Sequence, residues 1–194
     1  MIIGIAGKAQ AGKDTTALML QTLLTNPNIT WDMYWNSDMI FEWDHFVVHY
    51  ADLLKEVSQD MLDMPFDDFN DQKVKQQHID WLGMTVREFL QKLGTAVRKE
   101  IDPDFWIKAL FNTYHNGNVI IADVRFPNEA EAIKERGGIL IRIERPGAGA
   151  GDHISETALD NYDKFDYIVN NDGTLEDLFN QIKFITNNKF QLNK

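Results

Sequence analysis

Cysteine is absent from the 194-residue chain, which excludes disulfides and thiolate metal sites and suits a reducing cytoplasm. Long hydrophobic runs are missing as well. No apolar stretch reaches the length that crosses a bilayer, and the N-terminal residues read as a core strand, not a signal peptide. Positive charge is scarce: Lys and Arg total 19 against 30 Asp and Glu, a net charge of -11. Such an acidic chain is a poor candidate for sequence-independent binding to nucleic acid, which relies on a basic footprint. Each cation it retains is therefore informative. Internal repeats and a domain-separating linker are also lacking. What is present is a hydrophobic content of 44%, ordinary for one domain with a real core. The expectation is a single cytoplasmic domain, with no membrane and no nucleic acid among its partners.

The most informative stretch is the first. Ile2-Ile3-Gly4-Ile5-Ala6 is an apolar run of strand type, and it leads into Gly7-Lys8-Ala9-Gln10-Ala11-Gly12-Lys13. An apolar-periodic segment follows at once, with Ala17, Leu20, Leu23 and Leu24 at helical spacing. Strand, Gly-x-x-x-x-Gly-Lys and helix, in that order, are what a phosphate-binding P-loop requires. Gly7 and Gly12 allow a tight turn whose N–H groups face a polyphosphate, and the helix start adds unpaired N–H groups and a positive dipole end. Lys13 would set an ammonium between the β- and γ-phosphates. Asp14 stands where Ser or Thr usually gives Mg²⁺ a hydroxyl, with Thr15 and Thr16 directly after it.

Further along, apolar runs at His45–Tyr50, Val119–Asp123, Ile139–Ile143 and Tyr167–Val169 read as strands, and they alternate with helix patterns. These patterns cover Ala51–Met61, Thr85–Glu100, a segment opened by Asp102-Pro103, one running from Pro127 to Gly137-Gly138, and one capped by Thr174. Residues Met64–Gln77 read as loop or weak helix. Alternation of this kind predicts an α/β fold with a parallel sheet covered on both faces. Ligands in such sheets lie beyond the carboxyl ends of the strands. The P-loop, Ala51-Asp52, Asp123 and Arg145 all follow strand ends, so one crevice should collect them. Trp31–Asp44 mixes aromatics with carboxylates, and a hairpin, a lid and a self-association surface all fit it.

Phosphoryl transfer asks a protein mainly for positioning and for positive charge where negative charge gathers. Beyond Lys13, the cations Arg87, Arg98, Arg125, Arg142 and Arg145 are candidates. Arg142 is the weakest of them, because it lies within a strand. Arg136, late in a helix, is better explained as a helix-end cation. Asp123 ends an apolar strand, where it would either hold Mg²⁺ through water or cap the next helix. His153, Asp152 and Glu156 sit in a glycine-rich stretch and read as ordinary polar contacts, because the chain has no cluster with transition-metal spacing.

Four blocks resemble the phage-type deoxynucleoside monophosphate kinases of the P-loop class. They are GKAQAGKDTT from Gly7, YADLLK from Tyr50, FLQKLGTAVRKEIDPDFWI from Phe89, and VIIADVRFPNEAEAI … RIERPG … DHIS from Val119 with NNDGTLEDL from Asn170. The likeness covers most of the chain outside Trp31–Asp44 and much of Met61–Leu82, and it makes Asp14 a family trait. It implies a three-layer P-loop kinase fold with a parallel central sheet, a helical acceptor-binding insert over about 51–101 and a lid over about 145–164. ATP and Mg²⁺ would be the cofactors and a nucleoside monophosphate the partner substrate. On this resemblance the catalytic set is Lys13, Asp123, Arg125 and Arg145. Gly7, Ala11, Gly12, Lys13, Asp14 and Thr15 would hold the ATP phosphates, with Asn171, Asp172 and Gly173 around the adenine. Lys55, Arg87, Gln91, Thr95, Arg98 and Arg125 would serve the acceptor, and Asp14, Thr15 and Asp123 the metal. The cytoplasm would be a host's if a phage encodes the chain, and a homodimer stays open.

Two competing functions are weighed by what they need. A GTP-dependent switch needs Asn-Lys-x-Asp and a strand-end Asp-x-x-Gly. The first does not occur, and Asp123 is followed by Val124, Arg125 and Phe126. A P-loop kinase of another small phosphorylated metabolite fits the same spacing. Only the Gln91–Arg98 block and the resemblance favour a nucleotide acceptor over it.

Overall fold

A computed structural model describes residues 1–36, 44–115, 117–149 and 154–190. The chain divides into two compact units, Met1–His49 with Tyr114–Lys194, and Tyr50–Thr113. In chain order the first unit opens with β1 (Ile2–Ala6), α1 (Lys13–Thr25), α2 (Trp31–Asn36) and β2 (Phe46–Val48). The second unit holds α3 (Asp52–Leu62), a 3-10 turn over Phe66–Asn70, α4 (Gln72–Lys75), β3 (His78–Ile79), β4 (Met84–Thr85), α5 (Val86–Glu100) and α6 (Phe105–Thr113). The chain then returns to the first unit with β5 (Val119–Val124), α7 (Pro127–Glu135), β6 (Ile139–Glu144), α8 (Ile154–Thr157), β7 (Tyr167–Asn170) and α9 (Leu175–Phe190).

Five strands of the first unit form one sheet in the order β2-β5-β1-β6-β7, and every neighbouring pair is parallel. The parallel α/β expectation holds. Central β1 pairs Ile3 with Ile120 of β5 and with Ile139 of β6. Its side chains alternate between faces, as a strand requires. Ile3 and Ile5 join Leu20 and Leu23 of α1 and Phe179 and Ile182 of α9 in one fully buried cluster. Gly4 points the other way, toward α7: a Cβ there would stand 2.5 Å from Ile133 Cδ1 and 2.8 Å from Leu140 Cδ2. The absent side chain lets α7 lie close on the sheet. Burying each large aliphatic side chain stabilises the fold by roughly 1.5–3 kcal/mol, so this two-faced core fixes the strand register. Because the strands run parallel, the P-loop, Arg145 and Asn171 follow the same carboxyl ends of the sheet, where Asp123 also lies.

Several helix ends obey local chemistry. Thr85 and Glu88 form a reciprocal capping box at α5, and Thr174 and Asp177 form another at α9. Asp102 accepts from the Asp104 N–H at 2.8 Å, so the expected cap is present, although regular helix begins only at Phe105. Arg136 donates to the Ala132 carbonyl at 2.8 Å at the end of α7, the helix-end role expected of it. A hairpin, a lid and a self-association surface all fit Trp31–Asp44 by sequence, and its residues 31–36 are not hairpin strand. They are helix α2, which stacks Trp31 and Tyr34 against Phe179 at ring distances of 5.6 and 5.2 Å. Helix wins here because it lets both rings, three residues apart, reach one apolar patch. Residues 37–43 of that stretch lie outside the described residues. The two-residue pair β3 and β4, antiparallel through His78–Thr85 and Ile79–Met84, was not expected.

Candidate active site

The loop after β1 takes the backbone conformations its glycines permit. Gly7 has φ +152°, and a Cβ would sit 2.7 Å from the Ile143 carbonyl oxygen. Gly12 has φ +101°, with the Asn171 side-chain nitrogen 2.5 Å from where a Cβ would be. Substitution at either position meets both strain and a neighbour. The Asn171 amide donates to the Ala11 carbonyl at 2.8 Å, and its backbone N–H donates to Glu144 at 2.7 Å. One asparagine after β7 thus braces the loop against β6. Thr16 is buried and donates its hydroxyl to the Gly12 carbonyl at 2.9 Å, holding the helix start to the loop.

Lys13 is 7% exposed, and its ammonium donates to the carbonyls of Gly7 and Lys8, each at 2.9 Å. Burial pulls its pKa down to about 8, and the nearby Arg125 charge pulls the same way, while Glu156, Asp14 and Asp123 push it back up. A cation so placed is under-compensated, and an anion arriving beside it gains accordingly. Arg125 reaches into the same region. Its guanidinium is half-buried and pairs with the Glu156 carboxylate. The other oxygen of Glu156 accepts from the Ala9 N–H of the loop at 2.8 Å. Glu129 accepts from the backbone N–H groups of Arg125 and Phe126, at 2.7 and 3.0 Å. It thereby fixes the turn that aims Arg125.

The remaining expected residues of this unit sort as follows. Asp123 is the half-buried penultimate residue of β5, and the N-cap of α7 is Phe126, so Asp123 is not the helix cap. Asp14 is largely exposed and faces His49 Nε2 at 2.9 Å. Thr15 is half-buried beside it, and Asp172 and Gly173 are exposed. Arg145 stands exposed at the end of β6. Arg142 is tied down by Glu144 at 3.0 Å, by the Leu159 carbonyl at 2.9 Å and by the Phe165 ring, consistent with its weak candidacy. Of the glycine-rich connector and the acidic-histidine group after it, residues 150–153 lie outside the described residues.

Of the acceptor candidates, Arg125 belongs to the first unit, and Lys55, Arg87, Gln91, Thr95 and Arg98 belong to the second. Gln91, Thr95 and Arg98 recur at i, i+4 and i+7 of α5 and share one face. Arg98 donates to the Pro103 carbonyl at 3.5 Å, and Arg87 donates to Gln72 at 2.7 Å. Lys55 is mostly buried, 3.1 Å from Asp52 and 5.6 Å from the Phe66 ring centre. Two participants escaped sequence reasoning. Glu156 was read as an ordinary polar contact, and His49 was read as strand. The Glu156 partners lie 31 and 147 residues away, beyond any local signal.

Comparison with known proteins agrees with this geometry. A family model described as deoxynucleotide monophosphate kinase matches residues 37–182, and the P-loop adds an independent signal outside that match. A protein of Acanthamoeba polyphaga mimivirus, assigned by its name to deoxynucleotide monophosphate kinases, is 33% identical over 162 residues, covering 74% of this chain and 84% of its own. The deoxynucleotide monophosphate kinase of Enterobacteria phage T4 is 34% identical over 107 residues, covering 51% of this chain and 44% of its own length. Among solved structures, a shikimate kinase from Aquifex aeolicus superposes over all of both chains with a TM-score of 0.51 at 16% identity, a likeness of fold alone.

Proposed function

The chain belongs to the deoxynucleotide monophosphate kinase family, and from that membership we propose that it transfers the γ-phosphoryl group of ATP to a deoxynucleoside or nucleoside monophosphate, giving the diphosphate. One observation carries the reading beyond the family. Two cations, Lys13 and Arg125, lie together at a glycine-turned loop, in a protein with a net charge of -11. Charge of that sign is concentrated where a polyphosphate would lie.

The acceptor phosphate is already an anionic nucleophile, so no general base is needed. Lys13 would bind the donor's terminal phosphates, and its attraction strengthens as the phosphoryl group moves. Arg125 would bridge oxygens of donor and acceptor through its planar fork, and Arg145 would add charge from the end of β6. Asn171 keeps the loop in shape, and Asp172 and Gly173 follow it as the segment proposed for the adenine. Asp14, Thr15 and Asp123 offer oxygen donors of the hard kind that suits Mg²⁺, and the two carboxylates are close enough for their charge to be felt at Lys13. When bound, Mg²⁺ would neutralise charge on the phosphate oxygens. In the second unit, Lys55, Arg87, Gln91, Thr95 and Arg98 would bind the acceptor nucleotide, and the segment after Arg145 would act as a lid that excludes water.

The test is a coupled assay across the common monophosphates, each with ATP and Mg²⁺. Diphosphate formation from at least one deoxynucleoside monophosphate supports the reading. Transfer only to a non-nucleotide phosphorylated metabolite overturns the acceptor assignment and leaves the P-loop intact.

A further inference from the structure

The Glu156 carboxylate holds an unusual position for a negative charge. Its side chain is 9% exposed, one oxygen accepts from the Ala9 N–H inside the P-loop, and the other takes the Arg125 guanidinium. Its charge also reaches Lys13. A loop amide, an arginine and the P-loop lysine are the groups that would otherwise face a phosphate. The segment carrying Glu156 touches the loop elsewhere too: the Gly149 N–H donates to the Ala9 carbonyl at 3.0 Å, and Asp160 lies 3.6 Å from Lys8 Nζ. A small cavity between them is lined by Gly7, Lys8, Arg125, Arg142, Ser155 and Glu156.

We propose that Glu156 is a built-in stand-in for phosphate: in the nucleotide-free protein its carboxylate fills part of the P-loop cradle, and the donor polyphosphate takes its place by displacing it. The inference rests on the reading of the P-loop as a phosphate site. The single Ala9 N–H serves one anion at a time, and Glu156 occupies one end of the Arg125 fork, so the carboxylate and the phosphate compete. The apparent affinity for polyphosphate is then the intrinsic affinity reduced by the fraction of molecules in which Glu156 has left. The same competition keeps Arg125 engaged until a phosphate arrives. An ordinary structural ion pair predicts the opposite sign, because removing it loosens Arg125 and weakens anion binding.

The experiment measures binding of inorganic tripolyphosphate, which has no base or sugar and so reads the cradle alone. Calorimetric titrations use the full chain as wild type, Glu156→Gln, Glu156→Ala, Asp160→Asn, and Lys13→Met alone and combined with Glu156→Gln. Glu156→Gln keeps the side chain's shape and still accepts from Ala9, so it serves if the alanine variant fails to fold. Removing a competing charge-assisted hydrogen bond should lower Kd by about tenfold in Glu156→Gln. Asp160→Asn removes the same charge beside Lys8 without emptying the cradle, and should change Kd by less than about twofold. Unchanged or weaker binding in both Glu156 variants overturns the proposal, as does equal tightening in Asp160→Asn. The P-loop reading has its own control: Lys13→Met must weaken binding strongly in both backgrounds. Tripolyphosphate binding that ignores Lys13, or none in any variant, sinks that reading and the proposal with it.

Discussion

In the unit that carries the P-loop, Ile3, Ile5, Ile120 and Ile141 are wholly buried between helices, and the loop is braced by partners from β6 and β7. The Tyr50–Thr113 unit is held differently. Its α5 buries only Val86, its α3 only Ser58, and its polar candidates lean on near neighbours such as Gln72 and Pro103. The first arrangement fixes the site proposed for a polyphosphate, which is the same whatever the base. The second leaves a helix face carrying Gln91, Thr95 and Arg98 with few burial constraints, so its side chains can change without loss of the core. Under the proposed assignment, donor chemistry would be carried by deeply buried elements and acceptor choice by a less buried helix face.

Substitutions can break or sharpen that contrast. The largest effect is expected for Lys13→Met, where kcat should fall by about 10³-fold because the lost charge acts mainly as the phosphoryl group moves. Stopped assays with a matching thermal melt check this, and retention of more than roughly a tenth of kcat would count against the site. Arg125→Lys comes next. Lysine keeps the charge but not the fork, so a loss of roughly 10²-fold in kcat at nearly unchanged Tm is expected. In the second unit Arg98→Ala should raise KM for the monophosphate by about tenfold while leaving KM for ATP alone. Equal changes in both KM values would erase the division of labour.

Smaller still are two effects on stability. Asn171→Ala removes the bond to the Ala11 carbonyl and leaves a buried acceptor unsatisfied, which should cost about 1–3 kcal/mol in denaturant unfolding. Lys13 gives a pH signature. Its pKa, about 8 when folded, is below the ordinary 10.5, so the unfolded chain binds more protons between those values. The penalty of burying the charge is full below about pH 8 and fades as pH climbs towards 10.5. The Tm of wild type should therefore rise relative to Lys13→Met between pH 7 and pH 10, and a constant difference would show that the buried ammonium is not strained.

What could be read from the sequence was what depends on near neighbours. The P-loop, the caps at Thr174 and Asp102 and the strand runs at Val119 and Ile139 all announce themselves within a few residues. The roles of Asn171 and Glu156 do not, since each acts through a partner more than 140 residues away. Asn171, expected with Asp172 and Gly173 around the adenine, also bonds its side chain to the P-loop backbone, a role its local sequence does not announce. Trp31–Asn36 stayed open for another reason. Aromatics interleaved with carboxylates have no clean period, and the contact of Trp31 and Tyr34 with Phe179 is not visible in the local sequence. Strands as short as His78–Ile79 and Met84–Thr85 carry no period at all.

Under the proposed function, phosphoryl groups pass from the P-loop donor to a monophosphate and not to water. Resolving all products of an ATP and Mg²⁺ incubation by chromatography, with and without a deoxynucleoside monophosphate, tests it most directly. ADP and the deoxynucleoside diphosphate should appear in equal amounts with the acceptor, and inorganic phosphate should form only slowly without it. Inorganic phosphate released at the same rate in both incubations would make the protein an ATPase and contradict the account.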